Sequence, residues 1–219
     1  MMKTDMQLQR DVIEELAWQP NVREAEIGVA CKNGVVTLSG FVDSYAQKYA
    51  AGRAAEHVIG VRAVADDLQV KLPRAFVRSD TDIAHAAVTA LKWDVEVPDS
   101  RIQVLVDDGW VSLDGAVDWQ FQRSATEKAV RYLTGVKGVI NRISVQQPKV
   151  SAYEVNQRIE QALKRSAAVD ADRITVDAKN GKVVLRGTVR SWAEREDAER
   201  AAWAAPGVSE VNDEIAVGI

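Results

Sequence analysis

The chain has one cysteine, Cys31, and two histidines, His57 and His85, among 219 residues. A single cysteine excludes an internal disulfide. Two histidines with no cysteine or histidine nearby at ligand spacing exclude the common zinc arrangements. No window approaches the ~18 consecutive apolar residues that a membrane-spanning helix needs. The first residues, MMKTDMQLQRDVIEELAW, carry Asp5, Asp11, Glu14 and Glu15 where a leader would be apolar, so the expected location is the cytoplasm, or the periplasm if a leader precedes this sequence. A basic excess is also missing. Split after residues 72 and 148, the thirds hold 8 cations against 10 anions, 9 against 10, and 11 against 12. No third offers the Lys/Arg-rich face that nucleic acid selects, and no nucleic-acid partner is expected.

Catalytic signatures are lacking as well. No serine sits in a G-x-S-x-G elbow and no glycine cluster forms a phosphate loop. Asp107-Asp108-Gly109 lacks the further acidic ladder of a calcium loop and reads as a turn. Cys31 falls at an inward strand position and reads as a small buried hydrophobe rather than a redox thiol. No catalytic, cofactor-binding or metal-binding residue is therefore assigned, no cofactor is expected, and the chain reads as a non-enzyme.

What the sequence does contain is one sentence written three times: KNGVVTLSG at 32–40, DDGWVSLDG at 107–115 and KNGKVVLRG at 179–187. Gly34, Gly109 and Gly181 are separated by 75 and 72 residues, as are Gly40, Gly115 and Gly187, and Gly60, Gly135 and Gly207. Leu16, Leu91 and Leu163 keep the same offsets, and so do Val64, Val139 and Val211. Constant offsets across each unit leave no room for an insertion except in the connectors.

Each unit decodes alike. Leu8, Val12 and Leu16, with Ile83, Ala87 and Leu91 and with Val155, Ile159 and Leu163, recur every four residues and predict an amphipathic helix. Alternation at Ile27, Val29 and Cys31, and again at Val36 and Leu38, predicts two strands with one buried face. Asn33-Gly34, Asp108-Gly109 and Asn180-Gly181 are the pairs that two-residue hairpins favour. A second helix over about 44–58, with Ala51, Ala54, Ala55 and Val58 inward, and a last strand through Leu68 and Val70 complete the unit. The fold class is α+β: three tandem α-β-β-α-β units at 1–72, 78–147 and 150–219, each a three-stranded mixed sheet covered on one face by two helices. Units this small bury only ~60% of their unfolded surface, so the copies are expected to dock on one another.

The pattern I-x-V-x-x-x-(N/D)-G-x-V-x-L-x-G-x-V, then a helix, then G-V-x-x-V-x-(D/N)-x-(L/I)-x-V, resembles the BON domain. It is carried by Ile27–Val42 with Gly60–Val70, Ile102–Val117 with Gly135–Val145, and Ile174–Val189 with Gly207–Val217. The resemblance implies a binding domain of osmotically inducible periplasmic proteins, outer-membrane lipoproteins and secretin-associated proteins, thought to engage phospholipid or attach to membranes. It implies no catalytic residues. The chain departs from that pattern in having three copies and no lipoprotein cysteine near its start.

Aromatic residues supply the candidate surface. Trp18 and Trp93 end the first helices of two copies and are expected to pack against the following connector. Trp110 takes the outward phase of its strand, where the other copies have Val35 and Lys182, and Leu105 shares that face. Trp119 and Phe121 open the second helix of the middle copy, with Arg123 close by; Tyr45 and Trp192 stand near the same place in the other copies. Trp110, Trp119, Phe121, Arg123, Tyr45 and Trp192 form the candidate interface. Two occupants fit it. One is a neighbouring repeat; the other is a phospholipid surface, where tryptophan and tyrosine favour the headgroup zone and Arg123, Lys128 and Arg131 could meet phosphates. The functional expectation is association with phospholipid or membrane-linked partners under envelope or osmotic stress. The alternative is a cytoplasmic protein-interaction scaffold or small-ligand binder with no lipid role.

Overall fold

The computed structural model describes residues 3–147, 150–166 and 171–218. Its element order is the predicted unit three times over. The first copy holds α1 (Asp5–Trp18), β1 (Ile27–Lys32), β2 (Val35–Val42), α2 (Tyr45–His57) and β3 (Ala63–Val70). The second holds α3 (Asp80–Trp93), β4 (Ile102–Asp107), β5 (Trp110–Val117), α4 (Gln120–Arg131), β6 (Gly138–Asn141) and β7 (Ser144–Val145). The third holds α5 (Ala152–Arg165), β8 (Ile174–Lys179), β9 (Lys182–Val189), α6 (Trp192–Trp203) and β10 (Glu210–Val217). The fold is α+β, with a mixed sheet in each copy.

The hairpin turn sets the geometry of each sheet. Asn33, Asp108 and Asn180 have φ of 54°, 45° and 52°, and the glycines after them 79°, 77° and 80°. Two consecutive positive φ values make the mirror-image turn whose twist matches antiparallel strands. β4 and β5 therefore pair antiparallel, with Asp107 opposite Trp110 and Ile102 opposite Gly115. A crossover through α4 returns the chain parallel to β5, Val111 opposite Val139. The middle strand of every sheet is thus the second one, in the orders β1-β2-β3, β4-β5-β6 and β8-β9-β10. In the middle copy the last strand is interrupted at Arg142 and Ile143. β7 resumes beside β5 in the same register, Ala116 opposite Ser144, and at the break the Asn141 side-chain oxygen accepts the Ile143 N–H at 3.2 Å.

Gly115 shows why the strand glycine recurs. Its φ is 149°, and a Cβ there would run into the carbonyl oxygen of Arg101. The connector before β4 crosses the sheet at that spot, so only a residue without a side chain fits.

Each core lies between the two helices and one sheet face. In the middle copy Val111, Leu113 and Val117 of β5 and Val130 of α4 are fully buried, with Ile83, Ala87 and Leu91 of α3. Each large side chain so removed from water contributes about 1.5–3 kcal/mol. Thr126 is buried without penalty because its Oγ1 donates to the Gln122 carbonyl at 2.7 Å.

The chain divides into two compact units, Met1–Ser39 with Ala51–Asp67 and Gln147–Ile219, and Gly40–Ala50 with Leu68–Gln146. The first copy is shared between them. In the first unit the Arg53 guanidinium forks onto both oxygens of Glu196. In the second, the Arg131 guanidinium lies 3.4 Å over the Tyr49 ring. Among the described residues no helix is long and apolar enough to cross a membrane.

Candidate functional site

Two devices hold the turns beside which the exposed aromatics stand. The first is at the start of the second helix. The Gln122 side-chain oxygen accepts from the backbone N–H of Asp118 and of Trp119, both at 3.0 Å, which fixes the β5–α4 turn. The second is the ion pair between Arg101 and Asp118, 3.0 Å. It ties the connector after α3 to that same turn, and the single 3-10 turn at Asp99–Arg101 packs on both α3 and β5.

These ties bring one pole of the middle copy together. Trp93, at the end of α3, is 82% exposed, and Val95 beyond it is fully exposed. Trp119 and Phe121 are 36% and 53% exposed. The expectation that Trp18 and Trp93 pack against their connectors is corrected: both rings stand in solvent. The connector residues that do turn inward are the smaller Val22 and Val97.

Trp110 is not part of this pole. It starts β5 whereas Trp119 follows its end, so an eight-residue strand separates them, about 23 Å at 3.3 Å per residue. Trp110 is 47% exposed and lies across Gly138 on the open face of the sheet. Leu105 and Ile140, also exposed, flank it there, and Ser112 is buried between them. In the third copy the corresponding face is closed by cross-strand ion pairs, Lys182–Glu210 at 2.5 Å and Arg186–Glu214 at 2.8 Å. The middle copy keeps the second of these pairs, as Arg142–Asp114 at 3.2 Å, but has Trp110 and Gly138 in place of the first.

The remaining members of the candidate set are held internally. Arg123 is half-buried, and its Nη2 donates to the Asn141 carbonyl at 3.3 Å. Arg131 pairs with Glu127 at 2.7 Å. Tyr45 is half-buried near Glu127 and Arg131, and burial pushes its phenol above the ordinary value. Trp192 is half-buried; its Nε1 donates to the Val61 carbonyl at 2.9 Å and Arg195 covers its ring at 4.8 Å.

The other polar candidates are structural. Cys31 is half-buried and its Sγ lies 3.7 Å from Asp5. Burial and the neighbouring carboxylate raise its pKa, which keeps the thiol protonated and unreactive. Asp5 in turn accepts from the turn amides of Asn33 and Gly34. Among the described residues no three metal-ligating side chains come together.

Sequence reasoning named Trp93 as a packed residue, and missed Val95 and the carboxylate clamp on the turn. The signals were present: a tryptophan at one position in two copies, a second valine two residues before the one that packs, and an aspartate opening the first helix of two copies.

The family model of the BON domain matches residues 4–71, 79–147 and 154–219. The chain is 37% identical over 125 residues to Osmotically-inducible protein Y of Escherichia coli (strain K12), covering 55% of this chain and 62% of that protein. The chain thus spans less than two thirds of the length of this curated relative. Among solved structures, CdsD of Chlamydia trachomatis, a structural protein of the type III secretion system, aligns over 94% of this chain and 90% of its own at 14% identity, with a TM-score of 0.27. The C-terminal domain of CdsD aligns over 99% and 100% at 14% identity and a TM-score of 0.28; likeness at this level carries no argument. The expected cytoplasmic location is overturned by the first of these relatives, an osmotically inducible protein of the periplasm. An interrupted apolar pattern at residues 1–18 does not outweigh it.

Proposed function

The chain belongs to the BON domain family, and from that premise we propose that its three copies form a non-enzymatic attachment module for phospholipid surfaces or membrane-linked partners in osmotic stress. The copies at 1–72, 78–147 and 150–219 act as its domains. The observation that carries this reading is the exposed pole of the middle copy, where Trp93, Val95, Trp119 and Phe121 stand at helix ends and in the turns beside them, which are themselves fixed. Rings held at fixed helix ends and turns suit shallow insertion, because tryptophan favours the interface and little remains to be ordered on binding. Likeness to a protein named for osmotic induction supports the stress setting.

The structure changes the expected mechanism in one respect. The arginines nearest the pole already have internal partners: Arg101 with Asp118, Arg123 with Asn141, and Arg131 with Glu127. Attachment is then driven by the rings rather than by cation–phosphate pairing. Flotation of the full chain with vesicles tests this. The parent protein floats with zwitterionic vesicles and the Trp119→Ala variant floats less; a parent protein that stays at the bottom with zwitterionic and anionic vesicles alike removes the reading.

The open sheet face around Leu105, Trp110 and Ile140 favours a second reading, a protein-interaction surface with no lipid role. A flat apolar face suits another protein better than it suits a bilayer, which rings at helix ends and turns enter more readily. Under that reading Trp110→Ala, and not Trp119→Ala, abolishes association.

A further inference from the structure

We propose that the cleft of about 660 Å3 in the first compact unit is a binding site for a phosphoryl anion, held by Arg62 with Arg190 and Lys3. The proposal does not depend on the aromatic pole, which no part of this cleft includes. Three cations line the cleft against one carboxylate, Asp5. That carboxylate is already engaged by the amides of Asn33 and Gly34 and by the Cys31 thiol. Lys3 is paired with Asp11 at 2.5 Å and Arg190 with Glu194 at 3.4 Å. Arg62 has no acidic partner among the described residues; its side chain lies flat along Gly34, where any Cβ would strike its Cγ and Cδ. Leu8, Ala216 and Val217 give the cleft an apolar wall. The size falls in the range of small-molecule sites, and a guanidinium is the group that best matches phosphoryl oxygens.

The repeat supplies an internal comparison. The same cleft recurs in the second unit at about 380 Å3, with Arg78 for Lys3, Asp80 for Asp5 and Lys137 for Arg62. There Lys137 is satisfied: its Nζ lies 2.7 Å from Asp108 Oδ1. The residue at that position in the first copy is Asn33, which has no charge to offer. The third copy has Val150 and Ser209 in place of the two cations. The three copies therefore present one cationic cleft that carries its own acid, one without it, and one that has lost the cations. In the first copy Arg62 meets no carboxylate among the described residues; in the second, Lys137 meets Asp108 while Arg78 is turned onto the carbonyls of Ala75 and Val77.

The anion can come from a free phosphate compound or from a lipid headgroup, and the test separates them. The full chain is titrated with inorganic phosphate while the backbone amides of Gly34 and Arg62 are followed by NMR. In parallel, binding to phosphatidylcholine vesicles with a minor fraction of phosphatidylglycerol is compared with binding to phosphatidylcholine alone. The expected result is a saturable shift, weakened roughly tenfold by Arg62→Gln and equally by Asn33→Asp. Asn33→Asp gives the first copy the turn that the middle copy already folds, with Asp108 at φ 45°, so loss of structure does not explain the loss of binding. Sensitivity to both variants in the phosphate arm identifies a soluble ligand, and in the vesicle arm alone a headgroup. Trp119→Ala leaves the phosphate titration unchanged even where it abolishes flotation. No saturable shift together with vesicle binding indifferent to Asn33→Asp overturns the proposal, as does binding by both variants equal to that of the parent.

Discussion

The carboxylate of Asp80, in the first turn of α3, accepts the backbone N–H of Gly109 at 2.8 Å across 29 residues of chain. Its second oxygen takes the N–H of Asp108 at 2.9 Å. The hairpin tip of the sheet is thereby clamped to the helix that covers it. Asp80→Ala is expected to destabilise the middle copy by about 1–2 kcal/mol, the value of hydrogen bonds to a charged group at a partly wet site. Urea unfolding measures it. The fold itself survives, because the third copy has Ala152 at this position and makes the same turn.

Asp5 makes the same clamp in the first copy, and its pKa is lowered, chiefly by the Asn33 amide. A carboxyl whose folded pKa is depressed contributes stability in full above its unfolded value, ordinarily near 3.8. That contribution is lost as pH falls through the lower folded value. Thermal melts of the parent and of Asp5→Asn are therefore expected to differ at neutral pH and to converge below pH 3.8. A difference that stays constant down the acid limb assigns the clamp no charge dependence.

Leu113 sits on the central strand of the middle sheet and is fully buried. Leu113→Ala is expected to cost about 2–5 kcal/mol, the range for such truncations in closed cores. Asp107→Asn, on the exposed end of β4, is expected to stay within about 0.5 kcal/mol. Denaturant midpoints of the two variants check the contrast.

Most of the fold was legible because the repeat is written in residues that geometry constrains. Asn-Gly and Asp-Gly turns, the strand glycines and the four-residue spacing of Leu8, Val12 and Leu16 each leave few conformations open. Three copies in phase removed the remaining ambiguity. The interruption between β6 and β7 was not legible: the aligned stretch of the third copy makes the matching bond, Asp213 to the Ile215 N–H, within an unbroken strand. The candidate surface was read less well. Trp110 and Trp119 were grouped by chemistry although one eight-residue strand keeps them apart. Trp18 and Trp93 were expected to pack because large aromatics usually do, yet it is Val22 and Val97 of the connectors that are buried. Composition shows which side chains are apolar; only the neighbours decide which of them are covered.

The charge of the aromatic pole makes a further expectation. Asp94, Glu96, Asp99 and Asp118 stand there against Lys92, Arg101 and Arg123, and the last two are engaged internally. Attachment through the pole is expected to be as strong on zwitterionic vesicles as on anionic ones, and to survive a rise in salt that would screen surface charge pairs. Flotation across a salt series checks this, provided it is carried out with Arg62→Gln so that the cationic cleft does not contribute.

Tryptophan fluorescence quenching by vesicles with brominated acyl chains tests the attachment reading most directly. Quenching of the full chain is expected, and it falls when Trp93 and Trp119 are both replaced by alanine but not when Trp110 is. Quenching that is lost with Trp110→Ala and unaffected by the double variant would place the working surface on the open sheet face and contradict the account, as would no quenching at all.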